Sequence, residues 1–149
     1  MENVYVAAVK ETHPEYKTED WNAYIINNTD KDLETVLIAS KGYSKEKVTP
    51  VMRHQIKMLP ARSFAKIEFL QKDLLQLTNE FKVTFFLKSQ MYDKTYLFRK
   101  NTINDRALRK IPLMQLKGVL ASWLLFKHSV ETSIFNNIRQ AKAPFFITA

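Results

Sequence analysis

At 149 residues, 46% hydrophobic and 26% charged, the chain is the size of one domain and apolar enough to bury a core. It has no cysteine and only two glycines, which excludes disulfides, thiolate metal sites and the glycine-rich loops that cradle phosphates. A net charge of +8 leaves two readings, a lysine-rich solvated surface or a surface that attracts polyanions.

The opening residues, MENVYVAAVKE, lack a basic start followed by a long apolar run, so no secretory signal is read and a cytoplasmic location is expected. Asn3 to Lys10 alternates with apolar residues on both parities, which suits a strand covered on both sides or lying at an interface. Trp21 to Asn28 and Leu33 to Lys41 are the second and third strands, separated by the turn residues Asn27, Asn28, Thr29 and Asp30. Val51 to Leu59 alternates again, with Met52, His54, Ile56 and Met58 on one face and Arg53, Gln55 and Lys57 on the other. Pro60 breaks that strand. In Ser63 to Phe69, alternation sends Ala65, Ile67 and Phe69 inward and Lys66 and Glu68 outward. Gln71 to Thr78 is too short and polar for a core strand and reads as one or two helical turns.

Asn79 to Lys100, NEFKVTFFLKSQMYDKTYLFRK, is the clearest element. Phe81, Val83, Phe85 and Leu87 alternate with polar residues; the pattern breaks at Lys88 and Ser89 and resumes through Tyr92, Tyr96 and Phe98. Two aromatic-rich strands around a short polar turn make a β-hairpin. Asn104 or Asp105 is placed to cap a short helix that Pro112 limits. From Gly118 the composition changes to Trp123, four phenylalanines and four charges, and Val130, Ile134 and Ile138 recur at helical spacing. The expected organisation is a sandwich domain over residues 1–117 and an apolar, partly helical tail over 118–149.

About seven strands in the first hundred residues, at this spacing, predict a mainly β, antiparallel sandwich. The sequence resembles the immunoglobulin and fibronectin type in strand number, in the Leu59-Pro60-Ala61-Arg62-Ser63 corner and in its aromatic last hairpin. It lacks the cysteine pair of antibody domains. The run WNAYIINNTDKDL, the proline corner and KDLLQLTNEFKVTFFL resemble the β-sandwich module that accompanies Smr-type nuclease domains in bacterial mismatch-repair-related proteins. That resemblance covers roughly Trp21 to Met114, implies an accessory role and carries over no catalytic residue. Small stand-alone bacterial chains of this pattern form a further family that it is similar to.

Catalytic and metal chemistry finds little to work with. His13, His54 and His128 are far apart in sequence and lack the paired spacing of zinc ligands. Ser63 and Ser122 lack the glycines of a nucleophile elbow. Asp30 with Asp32, and Glu19 with Asp20, read as solvated turn carboxylates. Two surfaces remain. Arg53, Lys57, Arg62 and Lys66 form one basic patch if their strands pair through Pro60, and Arg99, Lys100, Arg106, Arg109 and Lys110 form a second cluster. Tyr43, Tyr92 and Tyr96 supply rings on which bases stack. Trp123, Leu124, Phe126, Ile134, Phe135 and Ile138 make the tail an interaction segment. The expectation is a non-catalytic module that binds a protein partner or itself, with nucleic-acid binding as the alternative. No cofactor, membrane span or small-molecule substrate is expected.

Overall fold

The computed structural model describes residues 3–123. Ten strands, one helical turn and a 3-10 turn follow in order: β1 (Val4–Thr12), β2 (Glu19–Asn27), β3 (Leu33–Tyr43), β4 (Met52–Leu59), β5 (Ser63–Leu70), α1 (Lys72–Leu75), β6 (Thr78–Leu87), β7 (Gln90–Phe98), the 3-10 turn (Asp105–Ala107), β8 (Arg109–Lys110), β9 (Lys117–Leu120) and β10 (Ser122–Trp123). The fold is mainly β. One sheet has the order β5-β2-β1-β9-β8 and the other β10-β7-β6-β3-β4, with every pairing antiparallel.

The two sheets meet through side chains sent inward by period-two alternation. Val4, Val6, Ala8, Ala23 and Ile25 of the first sheet share a core with Leu33, Val36, Ile38, Phe81, Val83, Phe85 and Phe98 of the second. The ring of Phe81 meets Phe98 edge-on and Phe85 stacks on Tyr92. The hydroxyl of Tyr96 crosses between the sheets and donates to the Val4 carbonyl at 2.6 Å. The β6–β7 hairpin turns through Lys88 and Ser89, both at positive φ, the twist that a two-residue hairpin loop requires.

A second, smaller cluster lies on the outer face of the first sheet, where Ile111 and Met114 pack over Ala7, Val9, Tyr24 and Ile26. β1 and β2 are therefore covered on both sides. Such double burial is why the opening strand is apolar on both parities.

Three features depart from the sequence reading. First, β4 and β5 do not pair. β4 pairs with β3 and β5 with β2, so the proline corner carries the chain from one sheet to the other. Asn27 holds that corner, its Nδ2 donating to the carbonyls of Lys31, Leu59 and Pro60. Second, the register of β5 shifts between Ala23 and Tyr24, leaving Ile67 as an extra residue. This β-bulge reverses the alternation after it. Glu68 turns inward opposite Ala23, and Phe69 turns outward and is 50% exposed. Third, the expected boundary after Lys117 falls within β9. Residues 118–120 pair with β1 and residues 122–123 with β7, so this stretch joins both sheets. The tail residues Leu124, Phe126, Ile134, Phe135 and Ile138 lie outside the described residues.

Candidate binding flank between the sheets

Among the described residues β4 and β5 are the terminal strands of their sheets, and the short corner between them places both outer edges on one flank. β3 and β4 supply Ser40 and His54 from the inner face of the second sheet, while the bulge in β5 delivers Glu68 from the first. The Ser40 hydroxyl donates a short hydrogen bond to Glu68 Oε1. His54 Nε2 stands 3.7 Å from the same oxygen, is buried and makes no hydrogen bond. One carboxylate oxygen is thus approached by both the hydroxyl and the imidazole. A histidine that activates a serine must reach the hydroxyl itself. Here the Ser40 hydroxyl is given to Glu68 and the imidazole makes no hydrogen bond to it, so the serine and the carboxylate form a polar clasp linking the sheets with His54 beside it.

Beside this clasp a groove of about 460 Å³ opens toward α1, walled by the β3–β4 loop on one side and by Phe69 and Leu74 on the other. Ser40 and Glu68 line its polar part, and Met52 and Phe69 its apolar part. Exposed apolar side chains continue along the flank: Val48, Val51, Met52, Met58, Phe64 and Phe69 are each more than 40% exposed. Large exposed apolar patches mark interaction sites. Asn79 fixes the groove's end by donating to the carbonyls of Leu74 and Leu77.

The first basic patch is dispersed. Arg53 lies opposite Ala39 on the outer face of the second sheet, with Lys57 in the same parity. Lys66 lies opposite Tyr24 on the outer face of the first sheet. Arg62 is held in the corner at positive φ, its Nη1 donating to the carbonyl and side-chain oxygens of Asn28 at 2.7 and 2.9 Å. These four side chains are carried on the outer faces of two different sheets and on the corner between them, rather than on one hairpin.

The second cluster is also divided. Arg99 follows β7 near Tyr43, whose hydroxyl pKa is raised by burial and by Glu80 and pulled back by Arg99. Lys100 donates its amide to Thr78, Arg106 sits in the 3-10 turn, and Arg109 and Lys110 form β8 at the far edge of the first sheet. Among the proposed rings, Tyr96 is buried and Tyr92 stacks on Phe85. Only Tyr43 of the three keeps a place toward the outer face. Trp123 is placed by its backbone, opposite Tyr96.

Ser40 and Glu68 escaped the sequence reading. Alternation puts Glu68 on the solvent face, and nothing in the residues around Ile67 announces the bulge.

On the outer face of the first sheet, Tyr24 donates to Glu11 Oε1 at 2.7 Å, and Asn22 Nδ2 donates to the same oxygen at 2.8 Å. Burial, reinforced by that carboxylate, pushes the Tyr24 hydroxyl from its usual value of 10.0 up to about 12. Among the described residues, no group of three or more histidine, aspartate or glutamate side chains is placed to hold a metal ion. Nor is any helix among them long and apolar enough to cross a membrane. The chain matches none of the family models, curated proteins or solved structures with which it was compared.

Proposed function

We propose that this chain is a non-catalytic, immunoglobulin-like protein-interaction module that binds through the β4–β5 flank. The observation that carries the reading is the meeting of two sheet edges, unpaired among the described residues, with half-exposed apolar side chains on the strands that form them. The first seven strands order themselves β1-β2-β5 and β4-β3-β6-β7, an arrangement that supports the immunoglobulin or fibronectin comparison. The Ser40 hydroxyl's bond to Glu68, with none to His54, favours a structural clasp over nucleophilic chemistry.

The immobilised chain tests this against its own variants. Met52→Lys with Met58→Lys is expected to abolish capture of a partner, while Tyr16→Ser, at an exposed site in the β1–β2 connection, keeps it. Equal capture by both variants contradicts the flank. Concentration-dependent sedimentation lost in the same methionine variant identifies a second copy as the partner.

Nucleic-acid binding is the second reading. It rests on a row across the outer face of the second sheet, where Arg53 and Lys82 flank Ala39. Retardation of RNA or DNA at about 50 mM salt, lost in Arg53→Glu with Lys82→Glu, favours it over the first.

A further inference from the structure

We infer that the flank accepts an extended segment of another protein, alternating apolar with acidic residues, as an added strand on β4. The inference rests on the flank being the binding surface and names what binds there.

The two edges, both open among the described residues, are not equivalent. β5 carries the bulge at Ile67 and the inward carboxylate of Glu68, two features that spoil pairing with an incoming strand. β4 pairs with β3 without any register shift from Leu59 back to Met52, and its prolines, Pro50 and Pro60, lie outside it. A regular edge free of proline presents evenly spaced backbone donors and acceptors, and strand addition uses those groups.

Alternation along β4 then dictates the incoming side chains. Arg53, Gln55 and Lys57 share the outer face, and His54 and Ile56 the inner. A strand laid beside β4 places one of its parities next to the two cations and the other next to Ile56 and the exposed methionines Met52 and Met58. Acids suit the first parity and apolar residues the second.

The same charges argue against the two occupants nearer at hand. A second copy pairing antiparallel about Gln55 sets Arg53 opposite Lys57, a like-charge pair. Residues 124–149 carry Lys127, Arg139 and Lys142 against one acid, Glu131, so this chain's own tail has the wrong sign.

Two short peptides test the assignment, one alternating valine with aspartate or glutamate and one alternating valine with lysine. Amide resonances of β4 report where each binds. The acidic peptide is expected to shift β4 and to bind about tenfold more tightly than the lysine peptide. Its binding should weaken with salt. Arg53→Glu with Lys57→Glu, at exposed positions, should reverse the preference while leaving the unfolding midpoint in place. Equal binding of the two peptides at β4 keeps the flank as the surface and overturns the acidic partner. Failure of both peptides to shift β4, while a captured protein does, also overturns the acidic strand alone. A captured protein that leaves the β4 amides unmoved overturns the flank as well.

Discussion

On the flank where β9 and β10 close the two sheets, Gly118 lies so near β1 that an added Cβ would meet the Ala8 carbonyl oxygen at 2.4 Å. On the opposite flank Met52, Met58 and Phe69 are each about half exposed, and among the described residues β4 and β5 have no strand beyond them. Ile111 and Met114 cover the outer face of the first sheet near its closed side, adding a second apolar layer. Close packing makes a region intolerant of change, because neither a missing nor an extra methylene can be absorbed. The open flank lacks that constraint, so its apolar residues contribute little to folding. Their presence there is best explained by what they meet.

Substitutions sort along this contrast. Phe85→Ala, in the core common to both flanks, should cost about 4 kcal/mol in urea unfolding, since it removes a fully buried ring stacked on Tyr92. Asn27→Ala should cost about 3 kcal/mol by leaving the corner carbonyls of Leu59 and Pro60 without their donor. Gly118→Ala should cost about 2 kcal/mol, because the atom it meets belongs to the β1 backbone and cannot swing aside. Met52→Lys with Met58→Lys should change stability by no more than about 0.5 kcal/mol while removing partner capture. A stability loss in the methionine variant as large as that of Gly118→Ala erases the difference between the flanks.

The outer face of the first sheet sharpens the contrast through pH. The Tyr24 hydroxyl ionises near 10 when unfolded and at about 12 when folded. Below pH 10 both states hold the proton and the contribution of Tyr24 is fully present. Between about 10 and 12 the unfolded chain gives up its proton first, so stability falls as pH rises. Thermal midpoints followed across this range should show a shallower decline for Tyr24→Phe than for the original chain. Parallel curves would mean that the hydroxyl is not shielded by Glu11 and its neighbours.

Much of the layered architecture was legible in the residues. The β6–β7 hairpin announces itself because inward rings alternate with polar side chains around a polar turn. β1 shows its double burial because Val4, Val6 and Ala8 are interleaved with Ala7 and Val9. What stayed hidden depends on partners far along the chain. β8, β9 and β10 span two to four residues each, too few to display any period. Alternation within β4 and β5 gives each strand's faces but not its neighbour, so a hairpin and a crossing between sheets look alike. The Ile67 bulge arises from pairing with β2 and has no local signature. Without it Glu68 and Phe69 exchange faces, and both the clasp to Ser40 and the apolar rim of the groove disappear from view. The basic patch was read on the condition that β4 and β5 pair as a hairpin, and they pair with β3 and β2 instead.

Residue-by-residue amide hydrogen exchange, with and without the captured partner, tests most directly whether the unclosed side is where this molecule works. Slowed exchange confined to β4 and the adjoining groove is the predicted result. Protection appearing at β9 and β10 instead, with β4 exchanging as it does alone, would contradict it.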